Sequence, residues 1–190
     1  MQVFAEKGYH ETRVDDIVLA AGSSKGGVYF HFRSKQEIFL ALIDDFAGQL
    51  QAAVLEAIVR EAKGIRRVDA ALRACLAVFA EYQPLAKIFL VQAVGLGEVF
   101  EQKRMEIHHR FEGAIQLYLD QALADNDIPP VDTEVAALAW MGAINEVVIR
   151  WVLTGEPVPQ RALPALRAIL LRSIGVSEER IRALEQQPEC

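Results

Sequence analysis

Residues 12–35, TRVDDIVLAAGSSKGGVYFHFRSK, predict two short helices that are joined by a tight turn. Thr12 and Asp15 have the spacing of a capping box at the start of the first helix, and a glycine follows at its expected end. Ser24 is the expected N-cap of a second helix that begins at Lys25. Two helices joined by a short glycine-containing turn are typical of the helix-turn-helix unit that reads DNA.

The charges of this stretch suit DNA, although the charge of the whole chain does not. The 190 residues carry a formal net charge of −6, which argues against a general polyanion binder. Positions 22–36 contain no Asp or Glu, but they include Lys25, His31, Arg33 and Lys35. Contact with phosphates requires a local basic surface, not a basic protein. A solvated helix edge is the plain alternative, and the helix-turn-helix context favours DNA.

A longer pattern extends over residues 1–45. It comprises FAEKGY at 4–9, AAGSSKG at 20–26 and VYFHF at 28–32. This pattern resembles the N-terminal domain of the tetracycline-repressor (TetR) family. The resemblance implies an all-α homodimer with three N-terminal DNA-binding helices and a larger C-terminal helical domain that binds a small molecule. Family members are mostly bacterial repressors that a ligand releases from operator DNA, and their first helix usually begins further upstream than residues 1–4 allow.

Three residues are predicted on the groove-facing side of the second helix, from helix position and from the resemblance together. Lys25 would read guanine edges or hold a phosphate, and these are different predictions. Tyr29 would offer its hydroxyl to a phosphate, although its ring would otherwise only pack. Gly27 has no side chain, so we expect the backbone to approach the groove closely there.

Four further residues are predicted to contact the DNA backbone. The resemblance implies this role for His31 and Lys35, which match the family at its usual phosphate-contacting positions. Thr12 and Arg13 are candidates on physical grounds, because the N-terminus of a helix attracts anions.

From position 35 onward the hydrophobic pattern is helical, without an alternating run typical of a strand. Glycines and prolines divide this part into predicted helices over 35–62, 67–82, 84–95, 97–125, 132–154, 161–174 and 177–187. The prediction is therefore an all-α protein with a helix-turn-helix DNA-binding domain of residues 1–48 and a ligand-binding and dimerisation domain of residues 49–190. The boundary at residue 48 lies inside the predicted helix 35–62. Such a continuous helix is a rigid link through which a distant ligand could reorient the recognition helix.

The segment 135–153 is apolar almost all round, with two charges and the amide of Asn145 in its second half. A helix of this kind must be buried on more than one side. A membrane span is the rival interpretation, but the polar groups and the absence of a second such segment argue against a membrane. We therefore predict a homodimer through the helices at 132–154 and 161–174.

The helix at 161–174 would complete that interface with an apolar face formed by Leu163, Leu166, Ile169 and Leu170. Dimerisation has a direct role, because two recognition helices must reach successive major grooves about 34 Å apart.

Aromatic side chains and a few polar groups in the central helices predict an apolar pocket with fixed polar points. The candidate lining residues are Phe79, Tyr82, Phe89, Gln92, His108, Phe111, Trp140 and Asn145. Such a wall suits an apolar or amphipathic effector, for example a fatty acyl thioester, an aromatic compound or a hydrophobic drug. The run NEVVIRW at 145–151 loosely resembles the acyl-CoA-responsive branch of the family, which implies an acyl-CoA as one candidate.

No catalytic site, metal site or cofactor is predicted. Residues 95–97, GLG, lack the third glycine of a dinucleotide fingerprint. The adjacent His108 and His109 cannot face one metal from a regular helix, and we expect one of them to be buried and the other solvated. Cys75 and Cys190 are far apart and suit a reducing cytoplasm. The sequence predicts a non-enzymatic, cytoplasmic and nucleoid-associated regulator, with a helical small-molecule-binding protein without DNA function as the alternative.

Overall fold

The described part of the chain consists of helices and the turns between them. The computed structural model describes residues 1–61 and 64–185, and within these ranges it has no strand, which confirms the predicted all-α class. The helices are α1 (Gln2–Glu11), α2 (Val14–Ala20), α3 (Lys25–His31), α4 (Lys35–Arg60), α5 (Ile65–Glu81), α6 (Gln83–Lys87), α7 (Glu98–Ala124), α8 (Thr133–Thr154), α9 (Pro159–Ser173) and α10 (Glu178–Glu185). The predicted helix ends at 62 and 187 lie outside the described residues.

Serine side chains start two of the first four helices, at the predicted positions. The Ser24 hydroxyl accepts a hydrogen bond from the Gly27 amide at 3.0 Å, and the Ser34 hydroxyl accepts one from the Glu37 amide at 3.1 Å. Each bond satisfies an amide in the first helical turn that has no partner within the helix. The predicted starts of α3 and α4 are confirmed.

The predicted start of α2 is wrong by one residue. The amide of Arg13, not that of Thr12, is the cap group, and it donates to the carboxylate of Asp16 at 3.0 Å. Thr12 instead ends α1, where its hydroxyl donates to the Gly8 carbonyl at 2.6 Å. The shift has a tertiary cause, because Thr12 is buried against α1 with only 1% of its surface exposed.

The predicted helix over 84–95 is divided into two parts. The short helix α6 continues into a π-helical segment, Ile88–Gln92, which closes with a hydrogen bond from the Ala93 amide to the Ile88 carbonyl at 2.8 Å. Such wide turns are rare and often occur at functional sites. This π-helical segment packs against α1, the helix that precedes the helix-turn-helix unit.

An aromatic cluster joins the first four helices to the rest of the protein. Phe39 of α4 lies 5.0 Å from both Phe4 and Tyr9 of α1 and 5.5 Å from Phe100 of α7, between ring centroids. Phe4, Phe39 and Phe100 belong to one continuous buried core that extends into the larger helical part, and Tyr9 packs against this core. The aromatic cluster therefore couples the orientation of α1 to α4 and α7.

Two helices, α4 and α8, are long and apolar enough to cross a membrane by length and composition alone, and the bent pair Ile65–Glu81 and Gln83–Gln92 would make a third. The statement that no second segment resembles α8 is therefore wrong. In this fold α8 turns Trp140, Ile144 and Val148 into the core. Val135, Leu138 and Leu153 remain exposed on the same helix, which leaves an apolar face for a partner.

The predicted apolar face of α9 is divided between two environments. Leu166 and Leu170 are buried within the chain, whereas Ile169 is exposed and Leu163 is partly exposed. Leu166 and Leu170 are therefore unavailable to a partner subunit. Residues three or four apart share a face only approximately, so spacing alone could not divide the set.

Candidate DNA-binding surface and ligand cavity

Helix α3 presents one face to the core and the rest to solvent. Val28 and Phe32 pack against the core cluster, while Lys25, Tyr29 and His31 are exposed. The positions predicted to face the groove are thus accessible, and Arg13 at the start of α2 is also exposed. Their contacts with DNA remain predictions.

Gly27 lies close to the side chains of Ser23 and Ser24 in the turn. A Cβ atom built at Gly27 would lie 3.0 Å from the Ser23 hydroxyl and 3.2 Å from that of Ser24, which is tighter than ordinary contact. The absence of a side chain therefore permits the Ser24 cap, in addition to any approach of the backbone to DNA.

An acidic residue of α2 neutralises the first cation of the recognition helix. The Lys25 ammonium forms an ion pair with Asp15 at 2.8 Å, and this hydrogen bond raises the pKa of Lys25. The surface around Lys25 therefore carries a negative charge from α2, although residues 22–36 themselves contain no Asp or Glu. DNA must compete with Asp15 for this amine.

We expect the Asp15→Asn variant to bind operator DNA about 2–5-fold more tightly for each half-site, the range of an exposed ion pair. The substitution frees Lys25 and removes a negative charge from the surface that meets phosphates. Fluorescence anisotropy with labelled operator at low salt measures the change. Asp125→Asn, which removes an exposed charge at the end of α7, is the matched control; an equal gain there would contradict the local explanation.

Two residues predicted to contact phosphates have hydrogen-bond partners within the protein. The Thr12 hydroxyl is buried, as described above, so its side chain does not reach the surface. The Lys35 ammonium donates to the carbonyls of Tyr9, His10 and Thr12 at 2.7, 3.1 and 2.9 Å, and lies 4.5 Å from the centre of the Tyr9 ring. Lys35 therefore caps the end of α1 and ties it to the start of α4.

An apolar cavity lies in the larger helical part, between α4, α5, α7 and α8. It encloses about 130 Å³, and its walls are formed mainly by aliphatic and aromatic side chains such as Leu50, Val54, Leu72 and Ile115. Two cations, Arg67 and Arg110, are among its lining residues. This combination favours a ligand with an apolar part and an anionic part.

Five of the eight predicted pocket residues line this cavity: Phe79, Phe89, Phe111, Trp140 and Asn145. The indole of Trp140 donates to the Ser173 hydroxyl at 3.0 Å, which fixes its ring between α8 and α9. Asn145 supplies an amide on an otherwise apolar stretch of wall.

Three predicted pocket residues lie elsewhere. The Gln92 amide donates to the Ala5 carbonyl of α1 at 3.2 Å, and its buried carbonyl oxygen has no partner. His108 packs edge-on against Phe89, with 5.8 Å between ring centroids, and burial lowers its pKa. Tyr82 ends α5 outside the cavity wall. As expected, His108 is half-buried while His109 is exposed.

Sequence reasoning missed several polar and charged residues of the cavity. Gln51 and both arginines are polar and partly or largely exposed, so hydrophobic periodicity does not single them out as cavity residues. Cys75 also lines the cavity, and burial raises the pKa of its thiol to about 12. It is therefore a neutral wall group at physiological pH. Among the described residues no group of His, Cys, Asp and Glu could hold a metal ion.

The comparison with known families concerns the helix-turn-helix part. Residues 1–42, from α1 into α4, match the model of the tetR family of bacterial regulatory proteins. By this match, residues 1–42 belong to the TetR family. The relatives that the chain matches are transcriptional regulators, not enzymes.

Relatives also match over most of the chain. The fatty acid metabolism regulator protein of Bacillus subtilis (strain 168) is 24% identical over 157 residues, which are 82% of this chain and 81% of the relative. The crystal structure of the transcriptional regulator FadR from Bacillus subtilis in complex with stearoyl-CoA has a TM-score of 0.83 at 23% identity, over 91% and 94% of the two chains. That of AibR in complex with isovaleryl coenzyme A and operator DNA has a TM-score of 0.71 at 18% identity, over 88% and 91%. These structural likenesses establish the TetR fold of the whole chain.

Proposed function

We propose that this TetR-family protein is a repressor that binds a palindromic operator as a homodimer and is released by an amphipathic effector. The observation that carries the proposal is that α4 belongs to both sites. Its first turns hold Phe39 against α1, and its later turns place Leu50 and Val54 in the wall of the cavity. A ligand that moves the wall therefore also moves the support of the recognition helix.

A fatty acyl-CoA is the proposed effector. Its acyl chain suits the apolar walls, and its phosphates suit the two arginines of the lining. Arg110 is paired with Glu106 at 3.0 Å, and Arg67 donates to the Glu61 carbonyl at 3.2 Å, so both guanidinium groups are held near the cavity. The complexes of FadR with stearoyl-CoA and of AibR with isovaleryl coenzyme A support the same chemical class.

A second route from the cavity to DNA runs through the π-helical segment. Phe89 lines the cavity, and Gln92 in the same segment binds the Ala5 carbonyl of α1. A ligand that displaces the Phe89 ring would shift Gln92 and, with it, the anchor of α1. In this proposal residues 1–48 are the DNA-binding domain and residues 49–190 bind the effector and form the dimer.

The dimer is proposed to form through α8 and α9, with the exposed side chains of Val135, Leu138 and Ile169 in the interface. Burial of such a face in a partner subunit would account for the apolar composition of α8 without a membrane. We place the protein in the cytoplasm, bound to the chromosome.

Selection of genomic fragments by the full-length dimer, followed by sequencing and affinity measurement at two salt concentrations, tests the proposal. We expect an enriched palindrome whose affinity falls steeply as salt rises. A panel of acyl-CoA chain lengths should then weaken binding to that palindrome. If the intact dimer enriches no sequence, the proposed DNA-binding function is contradicted, and a helical ligand-binding protein without DNA function remains. If a palindrome is enriched but no acyl-CoA weakens binding, only the proposal that the effector is an acyl-CoA is contradicted.

We expect the Ala71→Trp variant to bind the operator normally but to lose most of its response to the effector, about 10-fold or more in the concentration required for release. Ala71 lines the cavity from α5, so an indole there would occupy the space of the ligand. Titration of the effector into the labelled complex measures the response. Ala77→Trp, at an exposed position of the same helix, should respond as the wild type does; a wild-type response in Ala71→Trp would mean that the effector binds elsewhere.

A further inference from the structure

The most exposed aromatic residue of the described chain lies on the recognition helix. Phe30 has 84% of its surface exposed, whereas its neighbours Val28 and Phe32 pack into the core. Because an α-helix turns by about 100° per residue, Phe30 lies on the side of α3 roughly opposite Val28. The ring contributes nothing to the core and points away from the domain.

Gly26 precedes Phe30 by one turn and shares its outward side. No neighbouring atom lies within 4 Å of the position that a Cβ of Gly26 would occupy, so the outward side of α3 formed by Gly26 and Phe30 is open. Of these two residues, only Phe30 has a side chain, and its ring extends from this side of the helix. It rests edge-on against the His31 ring at 5.1 Å between centroids.

The chemistry of the ring limits what it can recognise. A phenyl group has no donor or acceptor for a phosphate or for a polar base edge. In the major groove, its one complementary feature is the C5-methyl group of thymine. Lys25, Tyr29 and His31 of the same helix are also exposed and supply groups that suit DNA.

We infer that Phe30 is a specificity-determining residue that contacts the methyl group of one thymine in each operator half-site. The inference rests on the proposed DNA-binding function and adds a base preference to it. Contact with the methyl group removes both apolar surfaces from water, which favours thymine over every base without a methyl group at that position.

Single replacements of thymine by deoxyuridine, which lacks only the methyl group, test the inference on the selected operator. Full-length wild-type protein should lose about 4-fold in affinity for each half-site at one thymine position, as expected for one buried methyl group. The Phe30→Ala variant should bind the unmodified operator more weakly and should be insensitive to deoxyuridine at that position. Phe30→Leu, which keeps an apolar side chain, should retain part of the sensitivity.

Leu19→Ala is the control, because Leu19 is 83% exposed but lies on α2. This variant should keep the wild-type sensitivity to deoxyuridine. The inference is overturned if Phe30→Ala keeps the wild-type sensitivity at every thymine, or if it weakens binding equally on operator and unrelated DNA. If the wild-type dimer selects no sequence at all, the proposed function fails first, and that result is distinct from a selected operator on which Phe30 has no effect.

Discussion

Replacement of Lys35 by methionine is expected to weaken operator binding about 10–100-fold while leaving its salt dependence close to that of the wild type. The Lys35 ammonium donates three hydrogen bonds to carbonyls at the end of α1, and each hydrogen bond to a charged group is worth about 1.5–3 kcal/mol. Partial compensation by water reduces the sum, and we expect the free energy of unfolding to fall by about 2–4 kcal/mol. Loss of this cap lets α1 separate from α4 and misplaces the recognition helix.

The salt dependence separates this positioning role from a phosphate contact. Each lost phosphate contact lowers the slope of log affinity against log salt by about 0.9. Arg13→Met is the matched comparison, because Arg13 is exposed at the start of α2 and is predicted to contact phosphate; its slope should fall while its thermal midpoint stays. A fallen slope with unchanged thermal stability in Lys35→Met would mean that the amine leaves α1 and binds DNA.

The Asp69→Asn variant is expected to lose about 3–5 kcal/mol of unfolding free energy, the cost of removing one partner from a buried ion pair. Asp69 of α5 is 2% exposed and contacts Arg167 of α9 and, at 3.1 Å, Arg73 of its own helix. The amide keeps the shape of the carboxylate but removes the buried negative charge that Arg167 and Arg73 contact. Because α9 is part of the proposed dimer interface, we also expect weaker dimerisation.

Guanidinium unfolding at one fixed protein concentration measures this loss, since the stability of a dimer depends on concentration. Glu178→Gln removes the acid from an exposed pair with Arg172 and should change stability by less than about 1 kcal/mol. Similar small effects in both variants, with an unchanged oligomeric state, would show that the Asp69 pair does not hold α5 and α9 together.

The sequence predicts the local structure of the helix-turn-helix unit and the lining of the cavity to different extents. In the helix-turn-helix unit, the starts of α3 and α4 were correct because Ser24 and Ser34 bond to amides three residues away. In the larger helical part, the predicted aromatic residues Phe79 and Trp140 line the cavity, and their contact with a ligand stays a prediction. Gln92 and His108 lie outside the cavity wall, because Gln92 bonds to α1 and His108 packs against the Phe89 ring, and these contacts depend on the packing of the π-helical segment.

Local chemistry therefore determined the class of the protein. Caps, helix-ending glycines and hydrophobic periodicity act within one or two turns of chain, so the all-α fold and the helix-turn-helix unit were readable from the order of the residues alone.

Only the tertiary structure decided the partners of individual side chains. Asp15 meets Lys25 across the turn, and Lys35 reaches back to carbonyls more than twenty residues earlier, so both cations have roles that their neighbours in the sequence do not indicate. Leu166 and Ile169 share an apolar pattern on α9, yet Leu166 is buried in the core and Ile169 is exposed. Hydrogen bonds, ion pairs and apolar contacts act over a few ångströms, and it is the packing of helices that determines which distant residues come within that range.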